Sequence, residues 1–118
     1  MTHRSRLEVA IDDASGRLLA TAAIDLADPV VARAALHIET CRVPPGIRAR
    51  LVDAVLDVPE VAARPHLQVA LPLGDTEILD RVRERCECIQ TRAAGVTCLV
   101  EADIRPARPA GTGGRAGT

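Results

Sequence analysis

The chain has no phenylalanine, tyrosine or tryptophan, and no lysine, in its 118 residues. Without aromatic rings the core must be assembled from Leu, Ile, Val and Ala. Such a core forgoes the roughly 150–250 Å² that each aromatic side chain would bury. The same absence removes the stacking platforms by which proteins hold single-stranded bases. All fifteen basic residues are arginine, and sixteen acidic residues bring the formal net charge to −1. No overall field therefore favours a polyanion, and nucleic acid is not an expected partner. Arginine in place of lysine, with abundant Ala, Val, Leu and Asp, points to a GC-rich bacterial genome. No run approaches the ~18 consecutive apolar residues of a membrane span. The first residues, Met1 to Arg6, run into charged Glu8 and Asp12 rather than an apolar signal region, which gives the expectation of a cytoplasmic protein. The serines are Ser5 and Ser15 alone. Neither sits in a nucleophile elbow, so serine hydrolase chemistry is set aside.

Four cysteines are present, Cys41, Cys86, Cys88 and Cys98. A structural zinc site needs two closely spaced pairs and a redox motif needs Cys-x-x-Cys, and neither spacing occurs. Cys86 and Cys98 lie among Val82, Val96 and Val100, as small buried hydrophobes do. The expectation is free thiols in a reducing compartment and no metal.

What is there reads as one domain. Leu7, Val9 and Ile11 alternate as in a half-buried strand, and Asp12-Asp13-Ala14-Ser15-Gly16 forms a turn that leads into a second strand over 17–26. Asp28-Pro29 interrupts, and Ala34–Val43 reads as a third strand. From Ile47 the apolar residues Ile47, Leu51, Ala54, Val55 and Val58 follow helical spacing, with Arg48, Arg50, Asp53 and Asp57 on the outer face and Pro59 closing the helix. Leu67, Val69 and Leu71 mark a fourth strand. Asp75 is placed as an N-cap, with Glu77 in the first turn of a second helix, paired with Arg81 one turn on. Cys86 belongs to that helix's inner stripe. Arg81, Arg83 and Arg85 interleave with Asp80, Glu84 and Glu87, the pattern of a solvated, salt-bridged face rather than an anion stripe. Glu87–Arg92, a turn at Ala93-Ala94-Gly95, and Val96–Ile104 complete the domain.

The predicted class is α/β (α+β), with the order β-β-β-α-β-α-β-β. The sheet is mixed and mostly antiparallel, with two helices packed on it. Residues 1–6 are expected to be a flexible start, 7–104 the domain, and the Pro/Gly/Arg-rich 105–118 a disordered tail.

This order, with Val43-Pro44-Pro45-Gly46-Ile47-Arg48 where a strand turns into a helix, resembles the GCN5-related N-acetyltransferase fold from its second strand onward. The resemblance implies a glycine-rich turn at 43–48 whose backbone N–H groups bind the pyrophosphate of acetyl-CoA at the positive end of a helix. Val43, Gly46, Ile47 and Arg48 would then be the cofactor-binding residues. Glu39, with His37 on the same face, would lie where the family often keeps a catalytic base. The family's motif is Arg or Gln, two residues, Gly, one residue, then Gly or Ala. Here Val43 holds the first position and Arg48 the last, only Gly46 matches, and no tyrosine exists to act as general acid. The family's first strand and first two helices have no counterpart.

Two functional readings follow. The first, drawn from the absence of an intact motif, is a non-catalytic interaction or scaffold domain, more a binding module than an enzyme, acting as a homodimer or with another protein and without a cofactor. Its alternative is a degenerate acyltransferase-like domain that binds CoA, or a related anionic nucleotide, at 43–48.

Overall fold

The computed structural model describes residues 5–39 and 43–104. Cys41, the end of the expected third strand at 40–42, His3 and the expected tail at 105–118 lie outside them. The elements are β1 (Arg6–Asp12), β2 (Leu18–Asp25), β3 (Val31–Ile38), α1 (Ile47–Leu56), α2 (Pro59–Ala62), β4 (His66–Pro72), α3 (Thr76–Arg85), β5 (Cys86–Ala94) and β6 (Thr97–Ile104). The strands form one sheet in the order β1-β2-β3-β4-β6-β5. The β3–β4 pair is parallel and every other pair is antiparallel. Two antiparallel hairpins thus flank a parallel pair whose connection is α1 and α2, and the expected mixed sheet is found.

Several details differ from the expectation, among them the end of β5, which stays paired to Ala94 where a turn at Ala93-Ala94-Gly95 was expected. Pro59 does not close α1. Asp57 caps α1, Val58 is extended, and Pro59 opens the one-turn α2. Proline suits a first helical position because its missing N–H would find no partner there. The third strand begins earlier than expected, because the Asp28 carboxylate accepts from the N–H groups of Val30 and Val31 and turns the chain straight into β3. Cys86 is buried as expected, yet it is the extended residue that ends α3 and starts β5.

Alternation along the strands creates the core. Ala20, Ala22 and Ile24 of β2, Ala32, Ala34 and Leu36 of β3, Leu67, Val69 and Leu71 of β4, and Val100 and Ala102 of β6 are all buried on one face. The alanines of β2 leave room for α1, which lies over β1 and β2 and buries Ile47, Leu51, Val52, Val55 and Leu56. Beside α1 lies α3, burying only Ile78 and Val82. The opposite sheet face sends Ala23, Arg33, Ala35, His37 and Glu101 to solvent. Among the described residues no helix is long and apolar enough to cross a membrane.

Because α3 is mostly polar, its seam with α1 is closed by charge. Arg81 places Nε and Nη2 on the two oxygens of Asp53 at 2.9 and 2.8 Å, and Arg85 adds Nη1 at 2.6 Å. A fork matched to a carboxylate is the strong form of an ion pair. The Arg81 hydrogen bond, with help from Arg85 and against the opposing effect of partial burial, holds the Asp53 carboxyl below its usual range. A depressed folded pKa contributes stability above the unfolded value of about 3.9 and loses it as pH falls through the folded one. Asp53→Asn is expected to cost about 1.5–3 kcal/mol at neutral pH. Melting curves across pH should show the gap to wild type closing below about pH 4.

Candidate functional site

The geometry of interest arises where β3 and β4 part. Their pairing runs from Val31↔His66 to Ala35↔Ala70 and stops there, although β3 continues to Ile38 and β4 to Pro72. The end of β3 stays with β2, through Ala20↔Ile38, while the end of β4 stays with β6, through Pro72↔Thr97. Each strand follows its antiparallel partner, so the parallel pair opens at its carboxyl ends. That is the position at which open α/β sheets hold ligands.

Both strands leave this opening through the same kind of turn. In Pro44-Pro45-Gly46-Ile47 the Ile47 N–H donates to the Pro44 carbonyl at 3.3 Å, and Gly46 has φ 89° and ψ −15°. These are the features of a type II turn, which takes proline second and needs positive φ third. In Pro72-Leu73-Gly74-Asp75 the Asp75 N–H donates to the Pro72 carbonyl at 3.1 Å, and Gly74 has φ 90°. Each turn starts a ten-residue helix. The positive ends of α1 and α3 therefore lie together at the opening, with orphan N–H groups directed outward.

Carboxylates of the chain itself meet these ends. Asp75 caps α3, its Oδ1 accepting from the Ile78 N–H at 3.1 Å, while its Oδ2 accepts from Arg48 Nε at 2.7 Å. The first turn of α1 has no acidic residue and its cap Gly46 no side chain. The Gly46 N–H instead donates to Glu77 Oε2, 3.1 Å away on α3. Arg48, Leu73, Gly74, Asp75 and Glu77 surround an open depression of about 400 Å³. Chemically this edge brings two helix ends, a guanidinium and backbone donors together with two carboxylates that meet them.

The residues named from the sequence fall as follows. Gly46 caps α1 and shapes the turn. Arg48 is at the opening, but its side chain is drawn sideways to Asp75 rather than standing over the turn. Ile47 is buried, and Val43 packs against the core, so their side chains are structural, and the Ile47 N–H is committed to the Pro44 carbonyl. His37 and Glu39 lie at the end of β3, with His37 Nε2 and Glu39 Oε2 3.4 Å apart and both side chains exposed. The Glu39 N–H donates to the Leu19 carbonyl and ties the end of β3 to β2.

The expected pairing of Glu77 with Arg81 is not formed. Arg81 is taken by Asp53 and Glu84, which frees Glu77 to reach α1. Glu77 and Asp75 are the site residues that sequence reasoning missed. Their partners lie 31 and 27 positions away, and the only local signal was a carboxylate in a helix's first turn.

Two further hollows lie on the helix-free face. One, of about 350 Å³, has Ala23, Ala35, Ala70 and Leu99 in its lining. The other, of about 470 Å³, is polar and includes His66, Asp103 and Cys88. Cys88 sits in the β5 bulge at φ 56°, and the neighbouring Asp103 carboxylate raises its thiol pKa, the reverse of an activated nucleophile. His66 bonds Asp103 at 2.8 Å, at the end of β4 remote from the opening.

No family model matches the chain, and no curated protein matches it in sequence. Solved structures do. The GNAT domain of PAT from S. lividans matches with a TM-score of 0.61 at 14% identity, over 87% of this chain and 65% of that one. An acetyltransferase of the GNAT family from Streptococcus pneumoniae gives 0.60 at 14%, over 86% and 68%. A mutant form of the spermidine/spermine N-acetyltransferase from Vibrio cholerae gives 0.57 at 9%, over 86% and 67%. The chain thus has a GNAT-like fold and spans about two thirds of the length of these proteins.

This corrects the first functional reading. A non-catalytic scaffold domain was inferred from a damaged motif, but the architecture is one that acetyltransferases use, and the inclination against an enzyme loses its support. The physical reason is that the damaged positions are side chains, whereas the turn offers backbone N–H groups.

The Gly46 turn is testable directly. A Cβ at Gly46 would touch nothing within 4 Å, so Gly46→Ala meets backbone strain alone. The left-handed conformation costs about 1–2 kcal/mol, reduced by the lower entropy of the unfolded variant. A net loss of about 1 kcal/mol should lower Tm by about 4–8 °C by circular dichroism.

Proposed function

We propose that this domain binds acyl-coenzyme A across the opened ends of β3 and β4 and transfers the acyl group to an amine. The observation that carries the reading is the divergence of the parallel pair beyond Ala35↔Ala70, with the Gly46 turn joined through Glu77 to the first turn of α3, just past the end of β4. The residues present fit the group. The Gly46 N–H already holds a carboxylate oxygen, so it is oriented to donate to an anion. Backbone donors at Gly46 and Arg48 would take the diphosphate, helped by the α1 dipole, while the Ile47 N–H closes the turn on Pro44.

Acyl-CoA supplies an activated thioester. The chain's part is to hold it, orient it and move a proton. Glu39, paired with His37 beside the opening, would accept a proton from the attacking amine as nitrogen bonds to the carbonyl carbon and the carbon–sulfur bond breaks. With no tyrosine in the chain, the departing thiolate takes its proton from water or another side chain. An amine acceptor is supported by proteins sharing the fold, among them a spermidine/spermine N-acetyltransferase.

Circular dichroism melting with millimolar acetyl-CoA tests binding. At a hundred times Kd a ligand adds about 2.7 kcal/mol to the folded state, a shift of several degrees. Gly46→Asp, which sets a carboxylate in the diphosphate position, should abolish the shift. No shift in the wild type would overturn the reading. With an amine found by thiol release, Glu39→Gln should lower kcat by about 10²-fold or more, with KM for acetyl-CoA little changed.

A further inference from the structure

Resting on that acyl-CoA reading and extending it, we propose that Glu77 is a displaceable internal counter-anion, occupying the diphosphate position of α1 and setting the affinity of the site. The Gly46 N–H is one of the orphan donors of α1, and α1 has no acidic residue in its own first turn to satisfy it. The carboxylate that does so comes from another helix, across the opening, at 3.1 Å. One N–H proton aimed at one point cannot serve both a Glu77 oxygen and a diphosphate oxygen. Like charge sharpens the exclusion, because the arriving diphosphate would share the depression with Glu77 and Asp75.

The two carboxylates at this edge are not equivalent. Asp75 is committed twice, to the Ile78 N–H and to Arg48, and its side chain is 9% exposed. Displacing it would uncap α3 and release a guanidinium. Glu77 is half-buried and makes one contact to the opening, and its side chain is longer. If it swings away it remains in the first turn of α3, where the helix dipole still favours a negative charge. The structure therefore offers one fixed and one movable acid, and the movable one sits on the donor that the ligand needs. Arg48, held by Asp75, stays at the edge as the positive group beside the vacated position.

Calorimetric titration of wild type, Glu77→Gln and Glu77→Ala with CoA and, separately, with pantetheine, which lacks the phosphates, tests this. Glu77→Ala should bind CoA about three- to tenfold more tightly than wild type, with Glu77→Gln between them and pantetheine unaffected. The Gly46 amide resonance should move in both variants before any ligand is added. Equal CoA affinity in all three proteins would overturn the role of Glu77 and leave the acyl-CoA reading intact. Equal gains for CoA and pantetheine would also overturn it, by showing a generally loosened pocket. Absence of CoA binding in every protein would sink both readings. Should Glu77→Ala melt too low to handle, the isosteric Glu77→Gln carries the comparison alone.

Discussion

The parallel pairing of β3 with β4 is the constraint from which the rest of the molecule follows. A parallel pair needs a crossover, and here α1 and α2 supply it. Since each of the two strands is also bound to an antiparallel neighbour with its own twist, their carboxyl ends cannot both stay together. Five paired positions is as far as the union goes. Both turns that leave the gap lead into helices on the same face, so two helix N-termini converge where the sheet opens. The donor-rich character of that edge is thus a product of topology and backbone, before any side chain is considered.

A core without aromatics shapes what surrounds it. Alanines on β2 let α1 approach closely, but α3 has only Ile78 and Val82 to bury. Arginine–carboxylate pairs close the remaining seam, a fork from Arg81 and a single bond from Arg85 on Asp53 near its middle, and a single bond from Arg48 on Asp75 at its end. An arginine that bonds two oxygens at once positions two helices more sharply than apolar contact alone. The same pairs carry consequences for the site. With Arg81 engaged by Asp53, Glu77 is left to turn toward Gly46, and with Arg48 engaged by Asp75, the space over the Gly46 turn is not filled by a guanidinium.

Much of the fold was legible because its signals are local. The Asp13–Gly16 turn, the alternation in β1, β4 and β6, the start of α1 after Gly46 and the Asp75 cap each rest on residues within a few positions of one another. Pro59 was misread because proline ends one helix and begins another with equal ease. The onset of β3 at Val31 depended on an Asp28 side-chain bond that composition does not announce. The site was less legible for a different reason. Glu77 and Asp53 take their partners from 28–31 positions away, across a seam that exists only once the sheet is formed. The family likeness was visible in element order, while the departures at Val43 and Arg48 concern side chains and leave the Gly46 backbone donor in place.

The account's central claim is that the Gly46–Arg48 backbone receives the diphosphate of coenzyme A. A nitrogen-15 amide titration of the intact chain with CoA tests this most directly, since it reports the N–H groups themselves. The account predicts that the largest chemical-shift changes fall on Gly46, Ile47 and Arg48, with smaller ones at Glu77. Changes centred instead on Arg33, Gln68 and Glu101 of the helix-free face, or no change at all, would contradict it.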